Sequence, residues 1–439
     1  MSAKKEPFKT AALELEDLSP ITVRGRVTAL SGLVIRAHLL GSRIGDQVRI
    51  IRTGLPPLPA ETIGFKEQET MLMPLGDPVG VGPDSLVEVI GREMSLHCGS
   101  CLLGRVLDGL GKPMDGGPSF SEKELESWPV ARSAPDPLQR PRIQRHLSFG
   151  LKAIDGLLTI GEGQRIGLFA GSGVGKSTLL GQIARNTEAD VCVLCLVGER
   201  GREVREFIEE NLGNGLSRSV VVCATSDTPP LVRLKSASVA TAIAEYFREQ
   251  SKKVLLLMDS VTRYARALRE VSLATGESPA RRGYPASVFS QLPRILERTG
   301  TSVNGSITAV YTVLVEGSDM EEPITDEVRA ALDGHIVLSR ELAQRNHWPA
   351  IDVLQSLSRV MNAVTDKPHQ QAAAKLRELL ATFEEHRDLI LLGAYKNGTD
   401  TKIDTALTKI ESINTFLRQQ IDECQPFEKT RQGLLGLFG

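Results

Sequence analysis

Eight consecutive residues, Ala170-Gly171-Ser172-Gly173-Val174-Gly175-Lys176-Ser177, have the types and spacing needed to grip a polyphosphate. They follow an apolar, strand-like run, 164–169, and open a segment of helical character, 178–186. Glycines let successive backbone N–H groups turn inward around phosphate oxygens, where a Cβ would intrude. A helix N-terminus at the loop's end adds the positive end of its dipole. Lys176 is placed to reach the β- and γ-phosphates of a bound nucleotide, and the Ser177 hydroxyl to ligate Mg²⁺. Gly171 to Thr178 are thus the expected nucleotide-binding group. The usual pattern, G-x-x-x-x-G-K-[ST], has glycine first where this chain has Ala170; an alanine there needs a negative φ but leaves the cradle intact.

Three residues elsewhere could complete a hydrolytic site. The apolar run 253–258 ends in Asp259. At the C-terminal edge of a parallel sheet such a carboxylate can hold a Mg²⁺ shell through water. Glu199 follows the apolar run 191–197. Cleaving a triphosphate requires a base or water-orienting group opposite the γ-phosphate, and Glu199 is a candidate; a solvated loop carboxylate is the alternative. Arg359 ends the segment 352–359. An arginine from a neighbouring subunit can neutralise charge on the transferring phosphoryl group, an effect of ~10³–10⁵ in rate. Spacing alone leaves Arg359 among many surface arginines.

These residues need a frame. Runs at 164–169, 191–197, 219–224, 254–258 and 306–315 alternate with helical segments, which indicates a mostly parallel sheet wrapped by helices. Ahead of them, residues 21–92 read as short strands broken by Gly32, Gly41, Gly45, Gly76 and several prolines, as in a small barrel or sandwich. Prolines at 118, 129, 135, 137 and 141 mark a linker-like stretch. In the last eighty or so residues Leu376, Leu379, Leu380 and Phe383, then Ile403, Leu407, Ile410, Ile413 and Leu417, recur at helical spacing and form the expected core of a helical domain.

The bulk composition narrows the classes. With 439 residues the chain can hold about two to four domains. A net charge of −2 and only 4% aromatic residues argue against a nucleic-acid partner. No apolar stretch approaches the ~18 residues of a membrane span. Met1 to Glu14 lacks the apolar core of a signal peptide, so a cytoplasmic location is expected. Two of the cysteine pairs have C-x-x-C spacing, but Cys192 and Cys195 lie on a strand, where positions three apart face opposite ways. Cys98 and Cys101 lack a second pair at zinc spacing, and all six cysteines are expected to be structural thiols, small and buried.

Several longer stretches extend these motifs: GQRIGLFAGSGVGKSTLLG, VGERGREVREFIE, VVCATSDTPPLVRLK, VLLLMDSVTRYARALRE, GSITAVYTVLVEGSDMEEPITDEVRAALDGHIVLSREL and HWPAIDVLQSLSRVMN. In this order they resemble the catalytic ATPases of type III protein secretion, flagellar or injectisome, which are similar to the β subunits of rotary ATP synthases. The resemblance covers nearly all of the chain after residue 20. It implies an α/β fold: a RecA-like P-loop core with an N-terminal six-stranded β-barrel and a C-terminal α-helical domain. The corresponding segments are 1–20, a flexible terminus; 21–95, the barrel; 96–360, the core; and 361–439, the helical domain. It also implies ATP and Mg²⁺ as ligands, Lys176 and Ser177 on phosphate and metal, Asp259 on the metal shell, and Glu199 as the catalytic glutamate. Arg200 is implied as a phosphate-proximal partner, and Arg359 as a finger reaching into the next subunit's site. Trp348 stands where relatives carry a tyrosine that packs on adenine, and Tyr395 is implied to close the same pocket.

For partners the resemblance implies a homohexamer at the inner-membrane export apparatus. The ring would engage a central stalk protein, chaperone–substrate complexes and a stator-like subunit at the N-terminus, where Phe8, Ala11, Ala12 and Leu15 could share a helical side. The loop GSGVGKS and the run TPPLVRLK look more like the flagellar branch. Rival readings are a rotary synthase β-type subunit, a RecA-like RNA helicase and a non-catalytic nucleotide-binding subunit; the presence of Glu199 speaks against the last.

Overall fold

A computed structural model describes residues 23–438 except 92, 121–124, 316 and 318. The expectation for Phe8 to Leu15 falls outside the described residues. The chain divides into two compact units, one holding the barrel and the other the chain from Ser95 onward apart from Leu273–Glu277.

In the first unit β1 (Arg24–Ser31), β2 (Val34–His38), β3 (Gln47–Arg52), β4 (Leu55–Lys66), β5 (Glu69–Pro74) and β6 (Leu86–Gly91) close into a barrel in the order β1-β2-β5-β4-β3-β6. Each neighbouring pair is antiparallel. Alternation decides what faces inward: Val27, Ile35, Val48, Ile50, Leu58, Leu72 and Val87 form one buried cluster. Breaks in register in β1, β3 and β4 supply the extra bend that closing so few strands requires. Of the two expectations, barrel or sandwich, the barrel is met.

The second unit opens with a two-stranded ribbon, β7 (Ser95–Cys98) on β9 (Glu126–Pro129), with β8 (Val106–Asp108) between them in sequence. Next in sequence come β10 (Arg165–Ala170), β11 (Val191–Glu199), β12 (Ser219–Thr225), β13 (Lys253–Asp259), β14 (Gly300–Thr301), β15 (Ser306–Leu314), β16 (Gly334–Leu338) and β17 (Ile351–Ser358). With β8 they build one sheet in the order β17-β16-β10-β15-β13-β11-β12-β8, β14 pairing off β15. The ladder from β8 to β16 is parallel, and β17 is an antiparallel edge strand. Every residue of β11 is buried, as helices on both faces of a parallel sheet require. The RecA-like arrangement expected from the sequence is present.

Helices α1 (Lys152–Leu157), α2 (Lys176–Asn186), α3 (Gly201–Glu206), α4 (Pro230–Glu249) and α5 (Val261–Ala274) belong to this core, and α6 (Lys367–Leu391), α7 (Thr401–Leu417) and α8 (Phe427–Gly436) end the chain. Asp366 and Asp400 cap α6 and α7 by accepting from backbone N–H groups of the first turn. Leu376, Leu379, Ile413, Leu417 and Leu434 join the buried cluster that also contains Ile154 and Leu157 of α1, so the helical stripe is core. Cys98, Cys192, Cys195 and Cys223 are buried, whereas Cys101 is half-buried and Cys424 exposed, which corrects the expectation that all six are buried. Burial pushes the Cys98 and Cys223 thiols up to about 12, which keeps them protonated and inert. Among the described residues no His, Cys, Asp and Glu cluster could hold a metal ion, and no helix is long and apolar enough to cross a membrane.

Candidate active site

The loop after β10 is shaped by two glycines with left-handed backbone, Gly173 at φ +77° and Gly175 at φ +81°. A Cβ on Gly173 would meet nothing within 4 Å, so the space over the loop is open for a ligand; a Cβ on Gly175 would come within 2.8 Å of the Trp348 ring. Ala170 is the last residue of β10, in extended backbone, where its methyl causes no strain. Helix α2 begins at Lys176, so the first-turn N–H groups lie at the loop's end.

Lys176 Nζ touches both carboxylate oxygens of Asp259, the terminal residue of β13. Thr312 on β15 donates its hydroxyl to Asp259 Oδ1 at 2.7 Å. Asp259 is 4% exposed, so a counter-charge is needed, and the ammonium supplies it. The open, left-handed loop, the Lys176 ammonium, the Ser177 hydroxyl and the Asp259 carboxylate together match what a triphosphate carrying a hard divalent cation requires.

Glu199 is the last residue of β11, not a loop residue. Gly198, at φ +63°, makes a bulge that lets Glu199 pair with Thr225. Its carboxylate is nearly buried and contacts the Arg263 guanidinium in the first turn of α5. Burial, with Arg266 nearby, lowers the Arg263 guanidinium below its ordinary pKa. Arg263 and Thr312 were missed in the sequence. Arg263 could have been found from MDSVTRYAR, which puts a cation one turn beyond Asp259 at the same sheet edge. Thr312 carries a subtler signal, a hydroxyl within the otherwise apolar run VYTVL.

The remaining candidates divide. Trp348 stands beside Gly175 and lines a cavity of about 200 Å³ with Val174, Thr178, Gln182 and Leu338, apolar walls suited to a planar base. Its indole N–H donates to Asn346 Oδ1 at 2.8 Å. Tyr395 is not among the residues lining that cavity; its hydroxyl hydrogen-bonds Asp404 Oδ1 (2.9 Å) and the Asp400 carbonyl (3.0 Å) at the start of α7. Gln419 and Ile421 are the residues after α7 that reach the cavity instead. Arg200 is exposed and pairs with Glu203 at 2.9 Å, one turn along α3, rather than with Asp259.

Arg359 lies at the far edge of the sheet. Strand β16 runs parallel to β10, Leu338 beside Ala170, whereas β17 runs back, Ile351 beside Leu338 and Ser358 beside Gly334. The Arg359 N–H donates to the Asp333 carbonyl at 3.0 Å, and the Arg165 N–H at the start of β10 donates to the Asp333 carboxylate, also at 3.0 Å. From Arg165 to Ala170 is about 17 Å at ~3.3 Å per residue. Arg359 is exposed and is thus separated from its own phosphate loop by the length of a strand.

Comparison with known proteins follows the same outline. The nucleotide-binding domain of the ATP synthase alpha/beta family matches residues 150–358, and the T3SS EscN ATPase C-terminal domain matches 365–436. The "Flagellum-specific ATP synthase" of Bacillus subtilis (strain 168) is 50% identical over 418 residues, 94% of this chain and 95% of that protein. The "Type 3 secretion system ATPase" of Xanthomonas euvesicatoria is 48% identical over 424 residues, 96% of this chain and 95% of that protein. The assembled ATPase EscN of enteropathogenic E. coli, solved with its central stalk EscO, superposes with a TM-score of 0.88 at 46% identity, over 94% of this chain and 100% of that one.

Proposed function

Because this chain belongs to the ATPases of type III protein export, built on the ATP synthase alpha/beta nucleotide-binding domain, we propose that identical copies close into a hexameric ring that cleaves ATP between neighbours. In this reading Lys176 leaves Asp259 to bind the β- and γ-phosphates. Ser177 and Asp259 would hold Mg²⁺, which when bound would offset charge on the phosphate oxygens. Glu199, freed from Arg263, orients the attacking water, and Arg263 is released toward the phosphates. Trp348 stacks on the base. Arg359 of the next chain approaches the transferring phosphoryl group.

The antiparallel course of β17 carries this reading. It sets Arg359 a strand's length from its own loop, so a finger at that position can serve only a neighbouring chain. A head-to-tail contact of this kind is heterologous and makes a ring when the rotation between neighbours closes. The test is phosphate release against protein concentration. Turnover per chain is expected to rise as rings assemble, and a monodisperse monomer with full turnover would remove the trans finger.

The hydrolysis drives export: it frees chaperones from their cargo and unfolds the cargo at the cytoplasmic face of an inner-membrane gate. A central stalk threading the ring is supported by the relative solved with one, and a stator-like subunit is assigned to the N-terminal segment. We assign the chain to the flagellar branch on GSGVGKS and TPPLVRLK. Relatives carry both flagellar and type 3 secretion names. Expression in a motile bacterium stripped of its own export ATPase is expected to restore swimming; rescue of injectisome secretion alone would reassign it.

A further inference from the structure

We infer that Thr312 is a positioning residue for the metal: it pins one oxygen of Asp259 so that the other is presented to the Mg²⁺ shell. The inference rests on the reading of Asp259 given above.

Strand β15 lies between β10, which ends in the phosphate loop, and β13, which ends in Asp259. Thr312 is beside Leu168 of β10, two positions before the ladder ends at Ala170 and Leu314. Every residue of β15 from Ser306 to Val313 is buried, and Thr312 is fully so. A hydroxyl there is costly unless it is bonded. Two acceptors are within reach, Asp259 Oδ1 at 2.7 Å and the Met258 carbonyl at 3.2 Å, and the hydroxyl has one proton. The shorter bond, to a charged acceptor, takes it.

Lys176 now touches both oxygens of Asp259. When the ammonium turns to phosphate, Oδ1 still has Thr312, and among the described residues Oδ2 has no other partner. A carboxylate without that anchor swings about its terminal torsion, which is broad and roughly two-fold. It must then be ordered each time the metal binds. Thr312 removes that cost by fixing the plane beforehand.

The experiment is an equilibrium titration with a fluorescent, non-hydrolysable ATP analogue, with and without magnesium, on the full chain. Thr312→Val keeps the shape and loses the proton. It is expected to cut the affinity gained from magnesium about tenfold, with magnesium-free affinity unchanged and Thr312→Ser restoring the gain. Equal losses with and without magnesium indicate a structural effect and overturn the inference, as does an unaltered magnesium gain. Should Thr312→Val not fold, Thr312→Cys, of similar size and a weaker donor, must lose part of the gain; full retention overturns the inference. Asp259→Asn runs in parallel: if that variant keeps the full gain, the metal role of Asp259 fails and takes the inference with it, whereas a loss in Asp259→Asn without one in Thr312→Val overturns the inference alone.

Discussion

Two ion pairs, each joining a buried carboxylate to a half-buried cation, mark the candidate site: Lys176 with Asp259 and Glu199 with Arg263. Each cation neutralises a carboxylate whose charge, buried and uncompensated, would be costly. Glu199→Gln is expected to leave ATP affinity within a few-fold of the parent and cut turnover ~10²–10⁴-fold, measured by nucleotide titration beside phosphate release. Near-normal turnover would return Glu199 to the class of structural carboxylates. Trp348→Ala removes the wall beside Gly175 and is expected to weaken nucleotide binding by about tenfold or more, with Trp348→Phe close to the parent. The phosphate loop was legible in the sequence because backbone conformation and residue type are locked together there. Arg263 and Thr312 were not, because their place depends on which strands lie side by side. The place of Tyr395 was hidden for the same reason: only tertiary structure ties its hydroxyl to the start of α7.

At the scale of elements, the parallel strands were readable as unbroken apolar runs, since a strand buried on both faces has no polar alternation. β16 and β17 were not among the strands picked out. β16 alternates buried and half-buried residues, and β17 carries a register break where Asp352 accepts from the Leu354 and Gln355 N–H groups. Yet β17 is the element that joins the base pocket near Trp348 to Arg359. Helix α1 contributes a pH dependence. Asp155 is fully buried and accepts from Ser148 Oγ at 2.7 Å and from the Phe149 and Gly150 N–H groups, both at 2.9 Å. Burial pushes its carboxyl up to about 7, against the pull of those donors. An acid with a raised folded pKa binds its proton more tightly when folded. Its contribution to stability is therefore greatest below about pH 4, falls as pH rises to about 7, and is level above. The stability difference between the parent and Asp155→Asn, from denaturant melts, is expected to follow that curve; a flat difference would mean the ionised carboxylate is fully paid for by its donors.

At the scale of the whole molecule, Lys176, Glu199 and Asp259 lie at one end of the parallel strands and Arg359 a strand's length away, which the proposed ring reads as the two halves of a shared site. The succession of short strands, then strands alternating with helices, then helices alone could be read from shifts in periodicity along the chain. The proposed sharing of a site with a neighbour could not, since it rests on the direction of one edge strand. Glu199→Gln and Arg359→Ala are each expected to be nearly inactive alone. Mixing the two in equal amounts and allowing rings to form is the most direct measurement of a shared site. About a quarter of the interfaces then join an intact Glu199 to an intact Arg359. Recovered ATP turnover well above that of either variant is the expected result, and a mixture as inactive as its components would contradict catalysis across the interface.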